Sequence, residues 1–319
     1  MNQECVVQRI ETLEKDQAFI DLFEQRVKST IKQFNLFNNN DKILVAVSGG
    51  KDSTVVIYLM KKLGYDVEAV TVDAHIGCYT QKNLENIREL CKSLNVKLHE
   101  ISFRKVFGAS LCYIRDALKE AGHDYKSCTV CGVLRRYLLN RKAKELGATK
   151  LVMGHNQDDE AQAFLMNLLK NRTYLSARTG PENGIIEDEK FVKRVKPLFF
   201  TSEEDVIKYS KMMQFPVKYG KCPCSVEGFR NHIKDALNDY EKINPNVKKN
   251  IVAYFLKMLP KLRQKFHTTE KPNSCELCAE PCADKMCRTC QLITTFRASQ
   301  SNNLSIIQET PISGRNIEA

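Results

Sequence analysis

Apolar residues recur at helical spacing near the start of the chain, at Phe19, Ile20, Phe23, Val27, Ile31 and Phe34. That period predicts an amphipathic helix over residues 16–36. Asn38-Asn39-Asn40-Asp41 then reads as a turn. Beyond it, short apolar runs alternate with helix-length stretches. Strands are expected at 43–47, 67–72, 96–102 and 149–153, and helices at 53–63, 80–94, 131–147 and 159–170. This alternation predicts an α/β fold, a doubly wound parallel sheet covered by helices on both faces. Ligands of such a sheet sit beyond the C-terminal ends of its strands. Residues 195–200 predict a further strand, 203–213 a further helix, and 226–266 a basic helical segment. From 267 the apolar period stops and cysteines take over. The tail 297–319 is polar and predicted to be disordered. The expected divisions are thus 1–40, 41–225, 226–266, 267–296 and 297–319.

The first strand breaks into Ser48-Gly49-Gly50-Lys51-Asp52-Ser53, and an apolar helix follows at once. The glycines let the backbone approach a phosphate, and the first N–H groups of the helix point at it. The spacing is not that of a Walker A loop. A bare βα turn would need only glycine, whereas Ser, Lys, Asp and Ser crowd this one. Asp73 and His75 follow the second strand, beside the first turn in a doubly wound sheet, where the backbone can hold a base. A lone histidine such as His75 is more simply structural. Gly154-His155-Asn156-Gln157-Asp158-Asp159-Glu160 lies between the fourth strand and its helix. Paired carboxylates there suit Mg²⁺ on nucleotide phosphates or proton transfer. Helix capping explains one acid but not the cluster. Gly154 reads as a close approach of the chain to the nucleotide. Lys51, Asp52, Asp158 and Asp159 are the catalytic candidates.

Charge and cysteine usage sharpen this picture. The 319 residues carry a net charge of +11. That suits a polyanionic partner, although solubility alone would also account for it. No apolar run reaches the roughly 18 residues that span a bilayer, and the N-terminus lacks the apolar core of a signal peptide. A cytoplasmic protein with no membrane partner is expected. Thirteen cysteines are odd in a reducing compartment unless many hold metal. Eight stand in close pairs, 128/131, 222/224, 275/278 and 287/290; Cys5, Cys78, Cys91, Cys112 and Cys282 read as buried thiols or bystanders.

Cys128 and Cys131 immediately precede a predicted helix, where partial positive charge favours thiolate. With Cys222 or Cys224 they would give three thiolates, enough for an iron–sulfur cluster with one iron open. A four-cysteine zinc site, a redox dithiol and a disulfide fit the same spacing. Cys275-x2-Cys278-x8-Cys287-x2-Cys290 is the pattern of two knuckles around one tetrahedral Zn²⁺, a zinc ribbon. A patch of roughly 25 residues builds no hydrophobic core, so the metal would supply its folding energy.

The segments VAVSGGKDS, VDAHIG, CTVCGVLRRYLLN, MGHNQDDEAQ and KCPCS, with the double CxxC, together resemble the TtuA/NcsA family of tRNA 2-thiouridine synthetases. These are PP-loop ATP pyrophosphatases, and the resemblance runs from about residue 20 to 296. It implies that Ser48, Gly49, Gly50, Lys51, Asp52, Ser53, Asp73, His75 and Gly154 surround ATP, with Mg²⁺. It implies that ATP adenylates O2 of a tRNA uridine and that sulfur displaces AMP. By position, Cys128, Cys131 and Cys222 would hold a [4Fe-4S] cluster. The partners implied are tRNA, a sulfur donor (a ubiquitin-like carrier protein, free sulfide or a persulfide), and a second copy in a homodimer. Two departures stand out. The first forty residues contain Cys5 as their one cysteine and no histidine, so the N-terminal zinc finger of many members cannot form. KCPCS also offers Cys224 beside the favoured Cys222. The rival readings are a 2-thiocytidine synthetase of the TtcA kind, against which the ribbon argues, an amide synthetase of the NAD- or GMP-synthetase kind, and a non-catalytic zinc-ribbon RNA-binding protein.

Overall fold

The computed structural model describes residues 3–184, 190–217, 219, 220, 222–225, 228–267 and 272–309, with side chains over 14–300 of these, Ser225 apart. The Cys5 side chain, Lys221, Lys271 and the tail beyond 309 lie outside the described residues. Five parallel strands form the central sheet: β1 (Ile43–Ala46), β2 (Val67–Asp73), β3 (Leu98–Ser102), β4 (Lys150–Val152) and β5 (Lys193–Val195), in the order β3-β2-β1-β4-β5. Ile43 pairs with Val67 on one side and Lys150 on the other. The winding reverses between β1 and β4, so a crevice opens at their C-terminal ends. The SGGKDS loop leaves β1 there, and GHNQDDE leaves β4.

The helices are α1 (Gln3–Gln33), α2 (Lys51–Lys62), α3 (Gly77–Ser93), α4 (Phe103–Phe107), α5 (Leu111–Glu120), α6 (Ser127–Glu145), α7 (Gln157–Leu169), α8 (Thr173–Ala177), α9 (Glu203–Met212), α10 (Phe229–Ile243), α11 (Val247–Lys265) and α12 (Arg288–Glu309). Strands buried on both faces read as continuous apolar runs, which is why β1, β2 and β4 were legible. One face of the sheet packs against α1, α2, α3 and α9 through Phe23, Val27, Val56, Leu59, Ile87 and Tyr209. The other packs against α4, α5, α6 and α12 through Phe103, Ile114, Leu134 and Phe296. A third cluster, with Ala161, Phe199, Ile233 and Phe255, joins α7 to α10 and α11. No helix among the described residues is long and apolar enough to cross a membrane.

The structure adds α4, α5 and α8 to the expected helices and departs from four of the stated expectations. The strand expected at 195–200 contains only Val195 of that span, because Pro197 has no N–H to give a ladder. The basic segment 226–266 is two helices, broken where Asn246 takes a left-handed φ of 71°. The first helix begins thirteen residues early, at Gln3 instead of 16. The region from 297 does not start a disordered tail, since α12 continues to Glu309. Leu292, Ile293 and Phe296 are buried against α5 and α6, each worth about 1.5–3 kcal/mol. Tyr113 Oη donates to Gln300 Oε1 at 2.6 Å, which extends that contact past 296.

Candidate active site

The loop after β1 is built by backbone necessity. Gly49 has φ +81°, and a Cβ there would lie 2.6 Å from Asn83 Cβ and 2.7 Å from Asn83 O on α3. A Cβ on Gly154 would lie 2.9 Å from both Asp52 C and Ser53 N. Gly154 therefore lets the end of β4 lie against the loop itself. Gly50, the N-cap of α2, has φ −84° and would meet only Ser48 Oγ at 3.5 Å. Ser48 N donates to Ser53 Oγ at 3.0 Å, which folds the loop over the helix start. The first N–H groups of α2 have no partner within the helix and face the crevice.

Around that start, Lys51 Nζ lies 3.0 Å from Asp52 Oδ2 and 2.9 Å from Glu203 Oε1. Asn156 Nδ2 donates to Asp52 Oδ1 at 2.8 Å. Asn156 also caps α7 in a reciprocal box with Asp159. Burial pushes the Asp52 carboxyl up; Lys51 works against this and Asp159 adds to it. Asp159 lies near enough to Asp52 to disfavour its charge, and two acids so placed fit a divalent cation, so Asp52 and Asp159 suit Mg²⁺. Asp158 does not. Its Oδ2 accepts from Glu203 N at 2.8 Å and its Oδ1 from Lys248 Nζ at 2.6 Å. It braces helices, its two oxygens turned to α9 and α11. His75 is likewise held aside, Nε2 against Ser102 Oγ at 2.7 Å and backbone N on Asp73 Oδ1 at 2.7 Å. Asp73, expected beside it at the nucleotide, lines the crevice. Neighbouring His155 is pushed down to about 4 by burial and by Lys196, so its imidazole is neutral near pH 7.

A cleft of about 310 Å³ runs from Ser48 along Thr71, Asp73, Tyr79 and Asn83 to Cys131, Arg135 and Cys222. The nucleotide loop and two of the candidate cluster cysteines thus share one wall. Burial raises the Cys128 thiol, and Cys131 and Cys222 raise it further, as negative groups drawn close together do. Arg135 Nε donates to Cys131 Sγ at 3.1 Å. Cys224 faces elsewhere. Its Sγ lies 4.0 Å from Cys112 Sγ, and burial together with Cys112 pushes it up to about 12. Cys131 and Cys222 line the cleft and Cys128 stands one turn before Cys131 on α6; three thiols so placed suit an iron–sulfur cluster with an open position.

At the other end of α6, Cys275, Cys278, Cys287 and Cys290 have sulfur atoms all within 4.8 Å of one another. Among the described residues this is the one such group. Burial raises Cys287 to about 11 and raises Cys290 too. Cys275 is brought down to about 6 against its burial by backbone N–H donors of Cys287, Leu277 and Cys278. Four thiols of this geometry fit one Zn²⁺. A two-stranded ribbon, β6 (Asn273–Ser274) and β7 (Pro281–Cys282), carries the knuckles. Glu280 docks it on α6 by accepting from Asn140 Nδ2 at 2.9 Å.

The sequence reading missed Glu203, Arg135 and Asn156. Arg135 stands one helical turn after Cys131, a spacing that brings side chains together. Asn156 lay within the quoted acidic motif. Glu203 carries no local signal, because only the fold brings it to Lys51.

The PP-loop domain family matches residues 21–239. The tRNA-5-methyluridine(54) 2-sulfurtransferase of Thermotoga maritima is 36% identical over 275 residues, 86% of this chain and 88% of the relative. The protein of the same name from Pyrococcus horikoshii is 31% identical over 276 residues, 86% of each chain. A solved structure, the U34-tRNA thiolase NcsA from Methanococcus maripaludis with its [4Fe-4S] cluster, aligns with a TM-score of 0.69 at 26% identity, covering 87% of this chain and 88% of that one. A loop that needs glycine at 49 and 154, a cleft leading from it to paired cysteines, and likeness along most of the chain agree: this chain belongs to the PP-loop family of tRNA 2-sulfurtransferases.

Proposed function

We propose that the protein is an ATP-dependent tRNA-uridine 2-sulfurtransferase acting in the cytoplasm. O2 of a tRNA uridine attacks the α-phosphate of ATP and pyrophosphate leaves. Sulfide then adds at C2, and AMP departs with the original oxygen, leaving 2-thiouridine. The observation that carries this reading is the single cleft lined by Ser48, Cys131 and Cys222. An adenylated base held there meets a sulfur source without crossing solvent. The N–H groups at the start of α2 and Lys51 bind the phosphates, and Asp52 with Asp159 would hold Mg²⁺. Cys128, Cys131 and Cys222 would hold a [4Fe-4S] cluster, which when bound supplies a site for sulfide at its open iron. The sulfur comes from a ubiquitin-like carrier protein or free sulfide.

Mass spectrometry of tRNA nucleosides from a deletion strain tests the reading. 2-Thiouridine should vanish and return with the wild-type gene. Unchanged 2-thiouridine would overturn it, and loss of 2-thiocytidine would favour the runner-up. Asp52→Ala should fail to restore 2-thiouridine and should lose AMP formation, while its iron content stays that of wild type. AMP formation at the wild-type rate would place the nucleotide elsewhere.

The ribbon should bind one structural Zn²⁺ and help seat the tRNA. Lys257, Lys261, Arg263, Lys265 and Arg288 stand near it in sequence, although Arg263 itself donates to the carbonyls of Thr179 and Glu182. Phosphate contacts position an RNA without reading its bases. Replacing Cys275 and Cys278 with Ser should remove the zinc and weaken tRNA binding roughly tenfold, with a shallower salt dependence. ATP binding and iron content should persist. Unchanged tRNA affinity, measured by filter binding across a salt series, would deny the ribbon this role.

A further inference from the structure

We infer that Glu203 is a positioning residue for the reaction, holding the Lys51 ammonium so that its remaining N–H meets a phosphate. The inference rests on a nucleotide binding at the SGGKDS loop, as proposed above. An ammonium has three N–H donors. Two of those on Lys51 are committed, to Asp52 Oδ2 at 3.0 Å and to Glu203 Oε1 at 2.9 Å. The two carboxylates belong to different helices, α2 and α9, so together they fix a direction that the flexible lysine stem alone would not keep. The third donor is left for the ligand.

Glu203 is itself anchored from two further sides. Lys234 Nζ of α10 lies 2.6 Å from its Oε2 and 2.8 Å from its Oε1. Its backbone N–H donates to Asp158 Oδ2 at 2.8 Å. Asp158 is fixed in turn by Lys248 of α11 at 2.6 Å, and Lys248 also reaches Glu241 at 2.7 Å. Burial opposes a charge on Glu203, but Lys234 and Lys51 outweigh it and hold the carboxyl below its ordinary value. The side chains of Lys51 and Glu203 are only 16% and 21% exposed, so the pair is shielded from solvent in a way a surface pair is not. A merely structural tie between α7, α9 and α11 is already made by Asp158 and Lys248, neither of which touches Lys51. The carboxylate of Glu203 is therefore surplus to that bracing and is spent on the loop lysine. Lys234 supplies the balancing charge, so the cation on Lys51 is not fully neutralised before ATP arrives.

The full chain carrying Glu203→Ala, Glu203→Gln, Lys51→Ala or both alanines tests this. Binding of a non-hydrolysable ATP analogue and the rate of AMP formation with tRNA are read in each. Wild type should bind the analogue, and Lys51→Ala should bind it more weakly. Glu203→Ala should lower kcat for AMP formation by roughly 10–100-fold, the cost of a misdirected group. Its KM for ATP should stay within about threefold of wild type, the pattern of a contact realised at the transition state. Glu203→Gln keeps an oxygen that accepts from Lys51 and should recover kcat to within about threefold of wild type. In the Lys51→Ala background, Glu203→Ala should cost nothing further. Wild-type kcat in Glu203→Ala, tighter analogue binding by it, or an equal loss in both backgrounds would overturn the inference while leaving the nucleotide site in place. Failure of the wild-type chain to bind the analogue would instead remove the nucleotide reading, and this inference with it.

Discussion

Cys222→Ala is expected to lose its iron and its thiolation activity together, by at least about 10²-fold in activity, more than outer-shell changes at metal sites cost. Cys224→Ala is expected to keep both. The two thiols are separated by a single proline, yet they face different neighbours. Cys222 lines the cleft with Cys131 and lies near enough to raise the Cys128 thiol. Cys224 points to Cys112 at 4.0 Å and does not line that cleft. What Cys224 gives the site is its backbone, whose carbonyl oxygen accepts from Cys128 Sγ at 3.6 Å. An alanine keeps that carbonyl. Iron analysis and the visible absorption of anaerobically purified variants check this. Full iron in Cys222→Ala, or none in Cys224→Ala, would move the third ligand to Cys224.

Gly49→Ala and Gly154→Ala are each expected to destabilise the protein by about 3 kcal/mol or more, from backbone collisions that no side-chain rotation relieves. Gly50→Ala is expected to stay within about 0.5 kcal/mol. At Gly49 the collision with Asn83 adds to the strain of a left-handed φ on a residue with a Cβ, about 1–3 kcal/mol. At Gly154 the added methyl would press on the backbone of Asp52 and Ser53 and displace the loop from the end of β4. Gly50 has ordinary extended dihedrals and open space. Denaturant midpoints of the three variants, at unchanged slope, read the differences. Equal midpoints for Gly49→Ala and Gly50→Ala would mean that the loop is not built on that approach.

The two glycines of the loop look alike in sequence, and only the packing of α3 separates them. The same limit runs through the rest of the molecule. Strands β1, β2 and β4 were legible because burial on both faces makes them mostly apolar, β2 keeping only Glu68 and Thr71 between its ends. The helix after 296 was not, since residues 297–303 are Arg, Ala, Ser, Gln, Ser, Asn and Asn, without an apolar period. The chemistry of the loop, the CxxC pair and the ribbon was readable because each is local, held within a few residues by spacing. The division of labour between Asp158 and Asp159 was not. Adjacent residues at a helix start point about 100° apart, and only the positions of Lys248 and Glu203 decide which acid braces and which faces the crevice. Glu203 lies 152 residues from Lys51, and its role follows from the packing of α9 against α2 alone.

The central claim is that one cleft both adenylates a uridine and sulfurates it. The most direct measurement is an anaerobic reaction of the iron-loaded protein with unmodified tRNA transcript, ATP and sulfide, with nucleosides, AMP and pyrophosphate counted together. The account predicts 2-thiouridine with one AMP and one pyrophosphate formed for each sulfur introduced. A thionucleoside formed without AMP, 2-thiocytidine in place of 2-thiouridine, or AMP released with no sulfur incorporated would contradict it.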